Sequence, residues 1–144
     1  MMKIVAHPQP QESKTLLENC GLPTSDLDIK KFEDFLYLGD VDNPLGVVGL
    51  EKFGSVALLR SLAVSKESRG KGYGKALVSA MENFAKGKNI KELYLLTETA
   101  ELFFKRLKYR SIPKDLAPES IRNSSEYSSV CPQSAVLMTK QLKG

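Results

Sequence analysis

Arg69-Gly70-Lys71-Gly72-Tyr73-Gly74 is the stretch that decides how this chain folds. The apolar run before it, Val56 to Val64, predicts a buried strand. The amphipathic run after it, Ala76 to Lys88, predicts a helix. A strand, a glycine-rich turn and a helix in succession present unpaired backbone N–H groups to an anion. The glycines remove the Cβ atoms that would block close approach, and they permit positive φ. Arg69 and Lys71 put cations in the turn, and Lys75 follows it. The stretch therefore predicts an anion site, with a pyrophosphate as the expected ligand.

Two familiar phosphate motifs do not fit. A P-loop requires G-x-x-x-x-G-K-[ST]; here Gly74-Lys75 is followed by Ala76, and Arg69 stands where the first glycine is needed. A dinucleotide fingerprint requires G-x-G-x-x-G; Gly70-Lys71-Gly72 starts it, but position 75 is Lys. The spacing that fits is R-x-x-G-x-G, met by Arg69, Gly72 and Gly74.

Composition is that of one globular domain spanning residues 1–144, with 42% hydrophobic and 26% charged residues. No apolar run is long enough for a membrane span, and the N-terminus lacks the apolar core of a signal peptide. Two distant cysteines, Cys20 and Cys131, make no disulfide framework and predict reduced thiols in a cytoplasmic protein. With one histidine, His7, they also argue against a metal site. The net charge of +4 is spread along the chain, which argues against nucleic acid as a partner.

Along the chain, Lys3–His7 predicts a short strand. Ser13 is the expected cap of a helix carrying Leu16, Leu17 and Cys20 on one face and closed by Gly21. Phe35–Leu38 predicts a strand, Gly39–Pro44 a turn, and Leu45–Phe53 a second strand, broken by Gly54 before the third, Val56–Val64. After the helix, ended by Gly87 and Asn89, Ile90–Leu96 predicts a strand. Thr97 or Thr99 then caps a helix with Glu98 and Glu101 in its first turn and Ala100, Phe103, Phe104 and Leu107 as its buried stripe. Tyr109–Ile112 and Ala135–Leu142 predict the last strands, with a loop between them holding a helical turn near Pro118–Arg122. Together these predict an α+β (mixed α/β) fold: an antiparallel N-terminal meander joined to a right-handed parallel strand-helix-strand crossover.

Strand, R-x-x-G-x-G and helix in this order resemble the acetyl-CoA-binding motif of the GNAT superfamily of N-acetyltransferases. The resemblance sharpens over Gly21–Thr24, Gly46–Glu51, Ala57–Val64, Leu95–Glu101, Phe103–Tyr109 and Val130–Ala135. These blocks are similar to the arsenic-resistance N-acetyltransferases, related to enzymes that acetylate phosphinothricin-like amino acids. The resemblance implies the GNAT fold, with helices on both faces of the sheet. It implies acetyl-CoA as co-substrate and the primary amine of a small, glutamate-like compound as acceptor. By analogy with the superfamily a homodimer is expected, and no metal or membrane is implied. The diphosphate falls on Arg69, Gly70, Lys71, Gly72, Tyr73, Gly74 and Lys75, and the pantetheine arm beside Leu62, Ala63 and Val64. The acceptor cleft falls at Thr97 and Glu98.

Acetyl transfer to an amine requires a group that takes the ammonium proton. Glu98 is the candidate base; its other reading is an ordinary acid in a helix's first turn. Arg60 sits among apolar residues, where a cation is costly unless paired. Its partner is either an internal acid, Glu51 or Glu98, or the acceptor's carboxylate or phosphinate held by the guanidinium. Two residues depart from the superfamily pattern. Phe104 stands where a proton-donating tyrosine is common, so either the thiolate leaves unprotonated, as its low basicity allows, or Tyr94, Tyr109, Tyr127 or Cys131 serves instead. Lys108 stands where glycine is usual. Besides a small-molecule N-acetyltransferase, two readings stay open: an acetyl-CoA-binding sensor without turnover, and a protein or peptide acetyltransferase.

Overall fold

The computed structural model describes residues 4–6, 8–22, 24, 25, 27, 29–124, 127 and 134–142. Four strands, β1 (Ile4–Ala6), β2 (Phe35–Asp40), β3 (Asn43–Phe53) and β4 (Val56–Val64), pair antiparallel in chain order. Helix α1 (Pro10–Asn19) and a 3-10 helix, Ile29–Asp34, lie between β1 and β2. Helix α2 (Tyr73–Gly87) carries the chain over to β5 (Glu92–Thr97), which runs parallel to β4. After α3 (Glu101–Arg106), β6 (Arg110–Ile112) and α4 (Glu119–Arg122), β7 (Val136–Gln141) inserts between β5 and β6, antiparallel to both. Among the described residues the sheet has seven strands in the order β1-β2-β3-β4-β5-β7-β6. This is the expected mixed architecture, and no helix in it is long and apolar enough to cross a membrane.

Strand alternation divides the core between two faces. Leu36, Leu38, Val48, Leu50, Ala57 and Leu59 meet the stripe Leu77, Val78, Met81 and Ala85 of α2. Phe35, Tyr37, Val47 and Ala63 point the other way and meet Leu16 and Leu17 of α1. Farther along that second face, Leu58, Tyr94 and Leu137 are covered by Ala117, Ile121 and Tyr127. Each fully buried aliphatic side chain contributes about 1.5–3 kcal/mol. The two helices are thus pinned to opposite sides of the same strands.

Several boundaries differ from expectation. Helix α1 begins three residues before Ser13, with Pro10 in its first turn, where a missing N–H costs nothing. Ser13 is not the cap; it lies inside the helix, and its buried hydroxyl has no partner among the described residues. The turn after β2 is only Val41-Asp42, because Gly39, Asp40, Asn43 and Pro44 all pair in the ladder. Helix α2 begins at Tyr73 rather than Ala76, which makes Tyr73, Gly74 and Lys75 its first turn. Glu98 lies outside α3, whose N-cap is Ala100, and only Phe104 of the expected stripe is fully buried. Gly21 and Asn89 do close α1 and α2, each in the left-handed region, at φ +74° and +65°.

Lys108 closes α3 in the same way. Its φ is +78°, its N–H donates to the Lys105 carbonyl, and the next N–H, of Tyr109, donates back to the Phe104 carbonyl at 3.0 Å. A side chain in this conformation costs about 1 kcal/mol relative to glycine. Lys108→Gly is expected to raise the unfolding free energy by about that amount and the Tm by about 3 °C. Thermal and denaturant melts check this, and an unchanged or lower Tm contradicts it.

Candidate active site

The site begins where a ladder stops. β4 and β5 pair only through Val56↔Glu92, Ala57↔Leu93 and Leu58↔Tyr94, although β4 continues to Val64 and β5 to Thr97. Among the described residues the β5-facing edge of β4 has no strand partner beyond Leu58, and a cleft opens between the strands. A bulge accompanies this opening. Val47 pairs with Ala63 and Gly49 with Arg60, so Val48 alone faces two residues, Ser61 and Leu62. Ser61 takes φ +58°, a conformation that costs a side-chain-bearing residue about 1–2 kcal/mol. The extra residue inverts the alternation, so Leu62 and Val64 join the α2 face and Ala63 the α1 face.

From Val64 the chain passes through a short 3-10 turn, Lys66–Ser68, into the glycine loop. Gly70 and Gly72 both have φ +81°, and open space surrounds the place where a Cβ would stand on either. Gly72 is the N-cap of α2 without a side chain to close it. The Ala76 N–H makes the first intrahelical bond, to the Gly72 carbonyl at 3.1 Å. The N–H groups of Tyr73, Gly74 and Lys75, the first of the helix, have no partner among the described residues. Lys71 and Lys75 are exposed beside them. This arrangement suits a di-anion lying across the loop. Gly74 is glycine for another reason: a Cβ there would stand 3.3 Å from the Phe103 ring of α3.

Arg69 is exposed and bonds along the surface to its own protein. Its Nε donates to the Val64 carbonyl at 3.1 Å, and its guanidinium reaches Cys20 Sγ at 3.6 Å. It ties the loop to the end of β4 and to the C-terminus of α1. Arg60 has the internal partner that its apolar setting demands. Its guanidinium donates to Glu51 at 2.6 Å and its Nε donates to the Ser61 hydroxyl at 3.0 Å, with 1% of the side chain exposed.

Across the cleft, Thr97 ends β5, and its hydroxyl accepts the Ala100 N–H at 3.0 Å, shaping the turn into α3. Glu98 is exposed in that turn, and its carboxylate accepts a hydrogen bond from the Ser134 hydroxyl at 2.9 Å. The ends of β4 and β5 thus bring Leu62–Val64, Thr97 and Glu98 to one end of the sheet, with the glycine loop beyond β4.

Residues 5–109 match the acetyltransferase (GNAT) family. The chain belongs to it. An uncharacterized N-acetyltransferase from Chlorobaculum tepidum is 39% identical over 66 residues, 46% of this chain and 42% of that protein. The chain thus spans less than half the length of that curated relative. Among solved structures, N-acetylglutamate synthase from Neisseria gonorrhoeae, complexed with coenzyme A and N-acetyl-glutamate, superposes with a TM-score of 0.83 at 19% identity. It covers all of this chain and 36% of its own. A GNAT-family acetyltransferase from Staphylococcus aureus gives a TM-score of 0.76 at 18% identity over 99% of this chain and 100% of its own. These likenesses establish the fold.

In this GNAT chain Phe104 is 5% exposed, edge-on to both Phe103 and Tyr109. The tyrosines considered in its stead are engaged elsewhere. Tyr94 is buried on the face covered by α4, and Tyr127 donates to the Lys114 carbonyl at 2.9 Å. Tyr109 donates to Glu82 of α2 at 2.9 Å, and Glu82 in turn holds Lys140 of β7 at 3.0 Å. Cys131 lies outside the described residues. Sequence reasoning missed Ser61, because a serine carries no signal for positive φ.

Burial first, and the Glu82 carboxylate second, push the Tyr109 hydroxyl far above the ordinary tyrosine range. The folded state therefore keeps this proton after the unfolded state has lost it. The stability it contributes is intact below pH 10 and is lost as pH rises further. Tyr109→Phe is expected to flatten that alkaline loss in urea melts taken between pH 9 and 11. An alkaline slope identical to the parent's contradicts the assignment.

Proposed function

We propose that this chain is an acetyl-CoA-dependent N-acetyltransferase acting on the primary amine of a small, amino-acid-like acceptor. The observation that carries the reading is the conjunction of two open backbone surfaces. One is the first turn of α2, with its unpaired amides and two flanking lysines. The other is the edge of β4 beyond Leu58, which has no strand partner among the described residues. Coenzyme A has a diphosphate suited to the first and an extended arm with two amides suited to the second. In this reading Gly70 to Lys75 hold the diphosphate, with Arg69 bracing the loop. Leu62, Ala63 and Val64 offer main-chain groups to the arm, and an N–H of that strand polarises the thioester carbonyl.

The acceptor amine attacks the thioester carbon. A C–N bond forms, the C–S bond breaks, and the thiolate leaves with the electron pair. Glu98, exposed at the cleft mouth, takes the ammonium proton through water, and Thr97 shapes the turn that presents it. The gonococcal synthase holds N-acetyl-glutamate beside coenzyme A. That likeness supports a glutamate-like acceptor, so glutamate, phosphinothricin and an amino-acid organoarsenical are the amines to test first. Arg60, buried and bound to Glu51, is the less suited of the acceptor-cleft candidates to meet such a ligand.

A coupled assay of thiol release from acetyl-CoA against a panel of amines tests the reading. Release with small amino acids supports it; cofactor binding without release for any amine identifies a sensor, and release only with lysine peptides identifies a protein acetyltransferase. Lys71→Glu is expected to weaken acetyl-CoA binding about thirty-fold by calorimetry at low salt, since it exchanges an attraction for a repulsion of about 1 kcal/mol each. Glu98→Gln is expected to remove the acid limb of the pH–rate profile, and a profile of unchanged shape excludes Glu98 as the base.

A further inference from the structure

Neighbouring residues of a strand point to opposite faces, so an arginine does not ordinarily reach the hydroxyl of the residue after it. Here the Arg60 Nε donates to Ser61 Oγ at 3.0 Å. The bulge makes this contact available by turning Ser61 to φ +58°, and the contact in turn holds the bulge. The other end of the guanidinium is fixed at 2.6 Å to Glu51, which lies on β3 opposite Leu58, the last residue of β4 that pairs with β5. The side chains of Arg60 and Glu51 are 1% and 14% exposed, so the pair is shielded from solvent and salt. A buried ion pair is seldom retained for stability, since apolar residues of similar volume serve as well; its attested use is to impose one arrangement among several.

We propose that Glu51, Arg60 and Ser61 form a clamp that fixes the bulge of β4 and so positions the main chain of Leu62–Val64 for acetyl transfer. None of the three needs to touch the reacting atoms. Without the clamp, β4 can lose its extra residue by a register slip, which would turn the side chains after Arg60 to the opposite face and re-aim the amides of the cleft. The inference rests on the acetyltransferase reading for its kinetic consequence and on the geometry alone for its conformational one.

Glu51→Gln, which keeps the shape and removes the charge, tests both. The expected kcat falls about ten-fold or more, the factor corresponding to loss of one charge-assisted hydrogen bond, while the Kd for acetyl-CoA, carried mainly by the intact diphosphate loop, rises by a clearly smaller factor. Adding Ser61→Gly is expected to restore much of the lost kcat, because glycine adopts positive φ without a brace. A purely structural pair would lower Tm and show neither the split between kcat and Kd nor the rescue. In substrate-free protein, Glu51→Gln is expected to shift the amide NMR signals of Ser61 and Leu62 and speed their hydrogen exchange about ten-fold. Unchanged signals and exchange overturn the clamp even if no acceptor is found. Parent protein that releases no thiol with any amine overturns the acetyltransferase reading and leaves the NMR result to decide the clamp. Wild-type kcat in Glu51→Gln overturns the positioning role.

Discussion

The cleft exists because the β4–β5 ladder ends at Leu58 and Tyr94 while both strands go on. Backbone N–H and C=O groups within a protein are almost always paired, so a strand edge left open beside a core needs a partner from outside. The edge lies within the seven-stranded sheet rather than at its rim, which shields it from another chain's strand and leaves it to a narrow, extended ligand. Below the opening the strands are firmly joined. The three paired positions, the Lys91 N–H bonded to the Ser55 carbonyl at 2.7 Å and the apolar residues under α2 hold them together. Above it the extra residue in β4 bends that strand away. The opening is therefore a sharp fork rather than a frayed end.

Helix α2 serves two purposes, and they conflict in stability. A Ser, Thr, Asp or Asn at the N-cap would satisfy one or two of the starting amides and stabilise the helix by about 1 kcal/mol. Gly72 forgoes this and leaves the amides to solvent or ligand. The rest of the helix is fastened more than a surface helix needs. Leu77, Met81 and Ala85 are completely buried. Glu82 then ties it to Lys140 of β7 and to the Tyr109 hydroxyl, with the Lys140 ammonium 5.4 Å from the Tyr109 ring centre. That fastening keeps the open first turn in place beside β4. Phe103 adds a second constraint by packing onto Gly74.

The architecture was legible because it rests on local periodicity. Val56–Val64 was read to the residue; the stripe of α2 and the closures at Gly21 and Asn89 follow from spacing and from the residue types that tolerate positive φ. What was missed depends on contacts distant in sequence. The 3-10 helix at Ile29–Asp34 has no apolar period of its own; it is anchored by Phe32, packed 4.7 Å from the Phe35 ring, and by Asp34, paired with Lys52 of β3 at 3.4 Å. Ser13 carried the composition of a cap, but Pro10, three residues earlier, set the start. For Arg60, sequence established that a partner was needed and named Glu51 among the choices. Only the antiparallel register, which sets Glu51 diagonal to Arg60 across β3 and β4, distinguishes it from Glu98. The bulge was invisible, since neither Ser61 nor its neighbours carry a residue type that signals positive φ within a strand.

The absence of a tyrosine at position 104 bears on the mechanism less than it first suggests. Phe104 sits in the core, edge-on to two other aromatic rings, and the Tyr109 hydroxyl nearby donates a hydrogen bond to Glu82. A tyrosine held that high in pKa is a poor acid at neutral pH, whatever its distance from the cleft. The reaction proposed here does not require one. The thiol of coenzyme A resembles that of cysteine, with a pKa near 8.5, so its thiolate is a competent leaving group and takes a proton from water once the C–S bond has broken. The ammonium is the harder problem, because it cannot attack until it has lost a proton. Selection for transfer then falls on the base side of the cleft and on the electrostatic setting of the carbonyl. Those are the two places where this chain presents an exposed carboxylate and a constrained backbone.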